Sequence, residues 1–275
     1  MVELCGQLRK MAVAAGVPAR YWLRLDEREI PLEERLGDRL RIDFTGEIHC
    51  LACGRRTAKS FAQGHCYPCF RRLARCDRCI LRPELCHYER GTCREPDWAQ
   101  GHCFVPHLVY LANTAGPKVG LTRESEVPTR WLDQGAVQAL PVLRTATRQQ
   151  AGFVEDLLRA RVGDRTDWRA MLRGDPEPLD LPALWRRLEG ELASGLDALR
   201  QRFGEEAIAS LPSAACFSAR YPVLEPPPRL RAFDLAKTAR VEGRLLGIKG
   251  QYLLLDSGVF NVRKHGGYRV TVTFS

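Results

Sequence analysis

Residues Trp22 to Phe44 read WLRLDEREIPLEERLGDRLRIDF, and residues Tyr252 to Phe274 read YLLLDSGVFNVRKHGGYRVTVTF. Laid over each other at a constant shift of 230, Leu25, Asp26, Gly37, Arg39 and Phe44 fall on Leu255, Asp256, Gly267, Arg269 and Phe274. Ile30, Leu32, Leu40 and Ile42 meet Phe260, Val262, Val270 and Val272, while Gly6-x-Leu8 and Gly243-x-Leu245 precede the two copies at similar distances. Apolar and polar residues alternate in both, which is the period of half-buried strands. A small antiparallel β-meander is therefore expected at each end of the chain. Any two three-stranded meanders share this alternation, so common local structure is the firmer reading and common origin the bolder one. If the copies pair, the termini come together and the middle of the chain is an insertion between two halves of one β-domain. If they do not, each closes its own small barrel. Neither copy alone has much core, which favours pairing.

The inserted region opens with metal chemistry, because nine of the eleven cysteines lie between Cys50 and Cys103. Cys50-x2-Cys53 and Cys66-x2-Cys69 are separated by twelve residues, a zinc-ribbon-like interval in which each tight turn aims two sulfurs at one ion. Gly54 and Gly64 stand where such knuckles turn. A disulfide framework suits short secreted chains, whereas this sequence opens with no signal-peptide pattern, so reduced thiols and a cytoplasmic location are expected. Cys76, Cys79, Cys86, Cys93 and Cys103, beside His87 and His102, exceed the four ligands that a second Zn²⁺ needs. Cys76 and Cys79 are the first choices, and an iron–sulfur cluster competes because it too takes four cysteines. A closed structural zinc folds a segment and performs no chemistry, so function must come from elsewhere. Cys5 and Cys216 lie outside the cluster and read as small buried hydrophobes.

With 275 residues, 45% of them hydrophobic, the chain can bury one sizeable core or a few small ones. A net charge of +9 points to a polyanionic partner such as nucleic acid. No apolar run approaches the roughly 18 residues of a membrane span. Oligomeric state and a preference for DNA or RNA are left open by these residues.

The chain divides into residues 1–49, the first meander; 50–106, the Cys-rich module; 107–172, a compact α+β unit; 173–220, a linker and amphipathic helix; and 221–275, the second meander or a small OB-like barrel. In the third segment His107 to Leu111 and Lys118 to Thr122 flank the turn-rich Asn113-Thr114-Ala115-Gly116-Pro117 and form a hairpin. Pro128 starts a short helix through Trp131 and Leu132, Leu140 to Ala146 returns as a strand, and Arg148 to Val162 carries Phe153, Leu157, Leu158 and Val162 at helical spacing. Leu184, Leu188, Leu192, Leu199 and Phe203 then mark one amphipathic helix whose stripe is a core face. The fold class is α+β in several parts.

The strings CYPC (66–69), PELCH (83–87), GTCRE (91–95), KVGLTR (118–123), RWLDQGA (130–136) and GIKGQY (247–252) together resemble the bacterial family of unknown function DUF2797. Within residues 107 to 165 the ββαβα order, with Val109-Tyr110-Leu111 and Lys118-Val119-Gly120 at the two strand motifs, resembles the GIY-YIG nuclease superfamily. That resemblance implies a phosphodiesterase centre. Tyr110 would activate or orient water, Lys118 and Arg130 would neutralise phosphate, and Glu155 would hold Mg²⁺ or Mn²⁺. Lys118 replaces the usual second tyrosine, and Gln134 stands where many such enzymes carry a histidine. The plainer readings are a core aromatic for Tyr110, solvated charges for Lys118 and Arg130, and an i,i+4 pair with Arg159 for Glu155.

A nucleic-acid surface is expected from Arg55, Arg56 and Lys59 between the first knuckles and from Arg71, Arg72, Arg75 and Arg78 after them, with Phe61, Tyr67 and Phe70 interleaved for stacking. Alternatively these arginines only offset zinc thiolates. Lys249, Gln251, Tyr252, Arg263, Lys264, His265, Tyr268 and Arg269 would form an OB-like face, with His265 either a plain surface histidine or a phosphate contact. Three functions follow: a zinc-containing nucleic-acid-binding phosphodiesterase, a non-catalytic DNA- or RNA-binding adaptor, and a thiol-based redox sensor.

Overall fold

The computed structural model describes residues 2 to 275. In chain order the strands and helices are β1 (Val2–Ala14), β2 (Arg20–Leu25), β3 (Arg28–Pro31), β4 (Arg39–His49), β5 (Arg56–Thr57), α1 (Tyr67–Arg72), α2 (Pro96–Gln100), β6 (His107–Asn113) and β7 (Pro117–Arg123). They continue with α3 (Thr129–Asp133), β8 (Gln138–Thr145), α4 (Arg148–Arg159), α5 (Trp168–Arg173), α6 (Leu181–Glu191), α7 (Ala193–Phe203), β9 (Ile208–Ser210) and β10 (Phe217–Ser218). The chain closes with β11 (Arg240–Lys249), β12 (Tyr252–Leu255), β13 (Gly258–Asn261) and β14 (Tyr268–Phe274).

The two terminal copies pair. Their strands run β13-β12-β11-β4-β14-β1-β2-β3 in one antiparallel sheet, with β5 added beside β4. At its centre Ile42 of β4 lies opposite Val272 of β14, and these are the same position in the two copies. Leu40 and Phe44 face Phe274 and Val270, so the register is symmetric about that pair. The hydrogen bonds repeat the relation: Gly37 N donates to Leu245 O at 2.8 Å, and Gly267 N donates to Leu8 O at 2.9 Å. Gln7 N donates to the Asp26 carboxylate at 3.2 Å, and Arg244 N to the Asp256 carboxylate at 3.0 Å. The alternating sequence buries Leu8, Leu23, Leu25, Leu40 and Ile42 against Leu245, Leu253, Leu255, Val270 and Val272 in one core. The C-terminal copy thus completes a shared sheet instead of closing an OB-like barrel of its own.

The central body is a second antiparallel sheet, β10-β8-β6-β7 with β9 beside β8. The order β6, β7, α3, β8, α4 is the ββαβα succession that the sequence predicts. Alternation along β6 sends Val109 and Leu111 to one face, under α4, and Tyr110 and Ala112 to the other, against Trp131 of α3. Helix α4 starts at a capping box in which Thr147 and Gln150 exchange side-chain and backbone hydrogen bonds. Residues 181 to 218 belong to this body. The expected single helix breaks at Leu192 into α6 and α7, whose Leu181, Trp185, Leu188, Leu192 and Leu196 fill the core below α4.

A buried polar junction joins the two bodies. Gln251, at the β11–β12 turn, exchanges hydrogen bonds with the Met11 backbone at 2.9 and 3.1 Å and donates to the Asp133 carboxylate at 2.9 Å. Lys10 pairs with the same carboxylate, and the Tyr221 hydroxyl donates to Ala136 O at 2.7 Å. Cys5 and Cys216, expected inside, are exposed. Cys5 alternates with inward-facing Leu4 and Gly6 on β1 and so faces outward, opposite Thr271. No helix is long and apolar enough to cross a membrane.

Gly37 and Gly267 occupy equivalent positive-φ turns, at +92° and +91°, where a side chain costs roughly 1–3 kcal/mol of backbone strain. A β-carbon at Gly37 meets nothing within 4 Å, whereas at Gly267 it comes within 2.6 Å of His49 O. Denaturant unfolding of Gly37→Ala and Gly267→Ala is expected to show loss in both and the larger loss in Gly267→Ala. Equal losses would contradict this packing.

Candidate functional site

Three groups of chemistry-bearing residues meet beside the junction. The first is a four-cysteine group: the sulfurs of Cys50, Cys53, Cys66 and Cys69 lie within 4.8 Å of one another. The Cys53–Cys66 sulfur separation of 3.7 Å matches the tetrahedral edge of about 3.8 Å that a Zn–S bond of ~2.3 Å implies. Cys50 follows β4 directly, and β5 pairs with the end of that strand, so the knuckle is anchored in the main sheet. The sulfurs cannot ionise equally without a cation. Burial works to raise Cys50, but backbone groups of Cys66, Ala52 and Cys53 bring it down to about 6. Burial and the neighbouring thiols push Cys69 up to about 12. A divalent soft ion removes that conflict by binding four thiolates. The group can hold a metal such as zinc.

The remaining cysteines divide. Cys76, expected in a second site, packs against Cys50, Cys66, Cys69 and Leu73 of the first. Cys79, Cys86 and Cys103 line one pocket at the start of α4 with Arg148 and Gln149. Asp77, Cys79 and His87 also bring ligand atoms within 4.8 Å of one another, but Asp77 is engaged by Arg94 at 2.7 Å.

The third group is the cluster around Lys118. Tyr110 and Gly120 are cross-strand partners on the α3 face, and Lys118 lies on the same face two residues along. A β-carbon at Gly120 would come within 2.6 Å of the Tyr110 hydroxyl, so the glycine is what lets that ring lie across β7. The tyrosine is fully buried and its hydroxyl donates to Gln134 Oε1 at 3.0 Å. Burial, opposed by Arg130 and Gln134, leaves the phenol above its usual range. It is therefore protonated at neutral pH, which is the state of a hydrogen-bond donor and not of a base.

Lys118 is 6% exposed, and its ammonium donates to Thr166 Oγ1 at 3.3 Å. Burial and the charge of Arg130 bring its pKa down to about 8, with Glu155 and Asp164 offsetting part of the effect. Burial also lowers Arg148 and Arg263, and in both Arg130 adds to the shift. Arg130 is thus the centre of a group of buried or half-buried cations. Among the described residues, Lys118, Arg130, Arg148 and Arg263 have no carboxylate oxygen within 4.0 Å. Glu155, whose acid form is favoured by burial, pairs with Arg159 at 3.6 Å, which is also the plain i,i+4 reading. A buried charge whose partner is missing costs roughly 3–5 kcal/mol, and of these four cations Lys118 is buried while Arg130, Arg148 and Arg263 are half-buried. Arg148 and Arg263 join this cluster only in three dimensions, the first from the start of α4 and the second from the turn after β13.

Among the other basic residues the surface reading divides. Arg55, Arg56, Lys59, Arg71, Arg72 and Lys264 are exposed. Lys249 is not, because it is 2% exposed and its ammonium donates to Gly174 O and Asp175 at 3.2 and 2.7 Å. It is a buried strut, not part of a binding face. His265 is also buried, with Nε2 accepting from Leu235 N at 3.2 Å and Nδ1 bonded to Asn261 O at 2.8 Å, which makes it a neutral core histidine. Arg263 is half-buried and donates to Gln63 Oε1 at 2.7 Å, so it links the four-cysteine knuckle to the cation cluster. Phe61, Tyr67 and Phe70 pack on one another, with Phe61 5.4 and 5.7 Å from the other two, and Tyr67 presents 53% of its surface.

These features define a mixed α+β protein with two antiparallel sheets, one of them shared by two similar terminal meanders, with a four-cysteine group that could hold zinc and a cluster of cations in the inserted body. Residues 37–270 match the family described as protein of unknown function (DUF2797), and the chain belongs to that family. No curated protein and no solved structure matches it.

The folded pKa of Lys118, about 8, lies below the ordinary 10.5, so between those values the unfolded chain binds more protons and stability rises with pH. Lys118→Met is expected to be more stable than wild type at pH 7, by roughly 3 kcal/mol at most, with the gap closing as pH climbs through that window. Urea unfolding at several pH values measures it. A less stable Lys118→Met at pH 7 would show that the ammonium is a paired structural group.

Proposed function

We propose that this protein binds nucleic acid and cleaves its phosphodiester backbone at a GIY-YIG-like, divalent-metal-dependent centre formed by Lys118, Arg130, Glu155 and Tyr110. The observation that carries the reading is the set of buried and half-buried cations without carboxylate partners beside the half-buried Glu155 carboxylate. In that arrangement Lys118 and Arg130 bind the non-bridging phosphate oxygens and stabilise the charge that grows on them as water attacks and the bond to the leaving oxygen breaks. Glu155 would hold Mg²⁺ or Mn²⁺, which would supply Lewis-acid stabilisation of the leaving oxygen. The buried Tyr110 hydroxyl orients groups through Gln134 and is not itself the base. Arg55, Arg56, Lys59, Arg71, Arg72 and Lys264, all exposed, add contacts to the polyanion outside the centre. Zinc in the four-cysteine group holds the knuckle that carries several of these residues, and its reduced thiols suit the cytoplasm.

A second reading rests on the same tyrosine. With its hydroxyl buried and engaged by Gln134, no side chain in the centre is an evident base, and the protein then works as an adaptor that recognises phosphate without cutting.

The two readings are separated by incubating the full chain with single-stranded, duplex and branched DNA and with structured RNA, with Mg²⁺ or Mn²⁺ present. Cleavage that falls by about 10²-fold or more in both Glu155→Ala and Arg130→Ala is the expected result. Binding without cleavage on every substrate supports the adaptor, and failure to bind any nucleic acid at low salt refutes both.

A further inference from the structure

The second half of the Cys-rich module is short of regular structure. Residues 73 to 95 are built from four short 3₁₀ turns, 74–76, 78–80, 83–85 and 88–90, and the four-cysteine group ends before them, at Cys69. Turns of that kind bury too little apolar surface to fix a fold by themselves, and a bound metal commonly makes up the difference. Here the turns bring three ligand-type side chains together, with one ligand atom each from Asp77, Cys79 and His87 within 4.8 Å of one another. All three residues are half-buried, and the Cys79 thiol is free.

The hydrogen bonds around them call for a cation. The Thr92 hydroxyl donates to His87 O at 3.2 Å and stands 2.8 Å from His87 Nδ1, so the ring carries a proton on Nδ1 and Thr92 Oγ1 accepts it. The other ring nitrogen, Nε2, points at Asp77 Oδ2, 3.4 Å away. A carboxylate oxygen only accepts, so a proton or a metal ion has to bridge that gap. A proton would satisfy the nitrogen and the oxygen and leave the thiol with no part, whereas a metal ion uses all three groups. The separation also matches the edge, about 3.4 Å, of a tetrahedron with Zn–N and Zn–O bonds of ~2.1 Å.

Asp77 keeps a lone pair for the ion. Its Oδ1 accepts from Arg78 N at 2.5 Å and its Oδ2 from Arg94 Nε at 2.7 Å, and each carboxylate oxygen has room for two partners. Arg94 in turn donates through Nη1 to Phe70 O and Leu73 O at 3.1 and 3.3 Å, at the end of the helix that carries Cys69. Thr92 behind His87 and Arg94 behind Asp77 are outer partners of the kind that orient metal ligands.

We propose that Asp77, Cys79 and His87 bind a second Zn²⁺ with water in the fourth position, and that Arg94 ties this site to the four-cysteine group. Thiolate, imidazole and carboxylate together suit zinc. Among the described residues no fourth Cys, His, Asp or Glu shares their spacing, so the site is open where the four-cysteine one is closed. Cys86, Cys93 and Cys103 lie outside it. The site stands whether or not the anion centre cleaves.

The full chain, purified under reducing conditions, loaded with Zn²⁺ and desalted, is expected to carry two zinc ions by mass spectrometry. One is expected in His87→Ala, and two in Cys86→Ser and Cys103→Ser. In chelator competition Thr92→Val should hold the second zinc about 10–100-fold more weakly than wild type. A Co²⁺ titration of wild type needs no variant to fold: one Co²⁺ should give the sulfur-to-cobalt absorption of four thiolates and the other about a quarter of it, for its single thiolate. One zinc per wild-type chain, two retained in His87→Ala, a second Co²⁺ as intense as the first, or loss of a zinc from a folded Cys86→Ser or Cys103→Ser overturns the proposal.

Discussion

The pairing of β4 with β14 is the interaction on which the rest of this protein depends. It sets Ile42 against Val272, the same residue position in the two copies, and so joins the chain ends into one sheet. Neither copy can form that sheet alone: β4 is flanked by β11 and β14, both from the other end of the chain. Everything between Cys50 and Ser218 is consequently an insertion held at both ends by one frame. A loop of that length has a large closure cost, which grows only slowly with length and is met once by the frame's core.

The frame also shapes the centre it carries. The β11–β12 turn sets Gly250 against the backbone of Asp133 to Gly135 at the end of α3, and Gln251 binds the Asp133 side chain. Arg130 is on the same short helix, and Gln134, which accepts from Tyr110, closes it. The turn after β13 contributes Arg263, which reaches the four-cysteine knuckle on one side and the field of Arg130 on the other. The shared sheet, the four-cysteine group and the central body therefore converge on one place, and the cations gathered there are what the convergence produces. Holding these like charges close together lowers stability, a cost that functional sites commonly carry.

What could be read in the sequence was what short-range pattern encodes. The constant shift of 230, with Gly37 on Gly267 and Ile42 on Val272, carried the β-frame because strand alternation and turn glycines are local signals. The Cys50 to Cys69 spacing carried the first ligand set for the same reason. Burial of individual polar residues was not legible. Lys249 and His265 look like surface groups in a basic, aromatic stretch, yet each is buried by partners far away in sequence, Asp175 and Leu235. Cys5 and Cys216 failed in the opposite sense: the side of β1 that Cys5 takes depends on register, and Cys216 lies in the connection before β10. Arg148 was invisible as a site residue because only the fold of α4 against the Cys-rich module places it there.

If the Lys118 and Arg130 cluster lacks carboxylate partners because it holds a phosphate, crystals of the zinc-containing protein soaked in tungstate, a heavy phosphate mimic, will reveal it through the anomalous signal of tungsten. A peak is expected within hydrogen-bonding distance of Lys118 Nζ and the Arg130 guanidinium. Tungstate decorating the exposed arginines of the four-cysteine knuckle while that centre stays empty would contradict it.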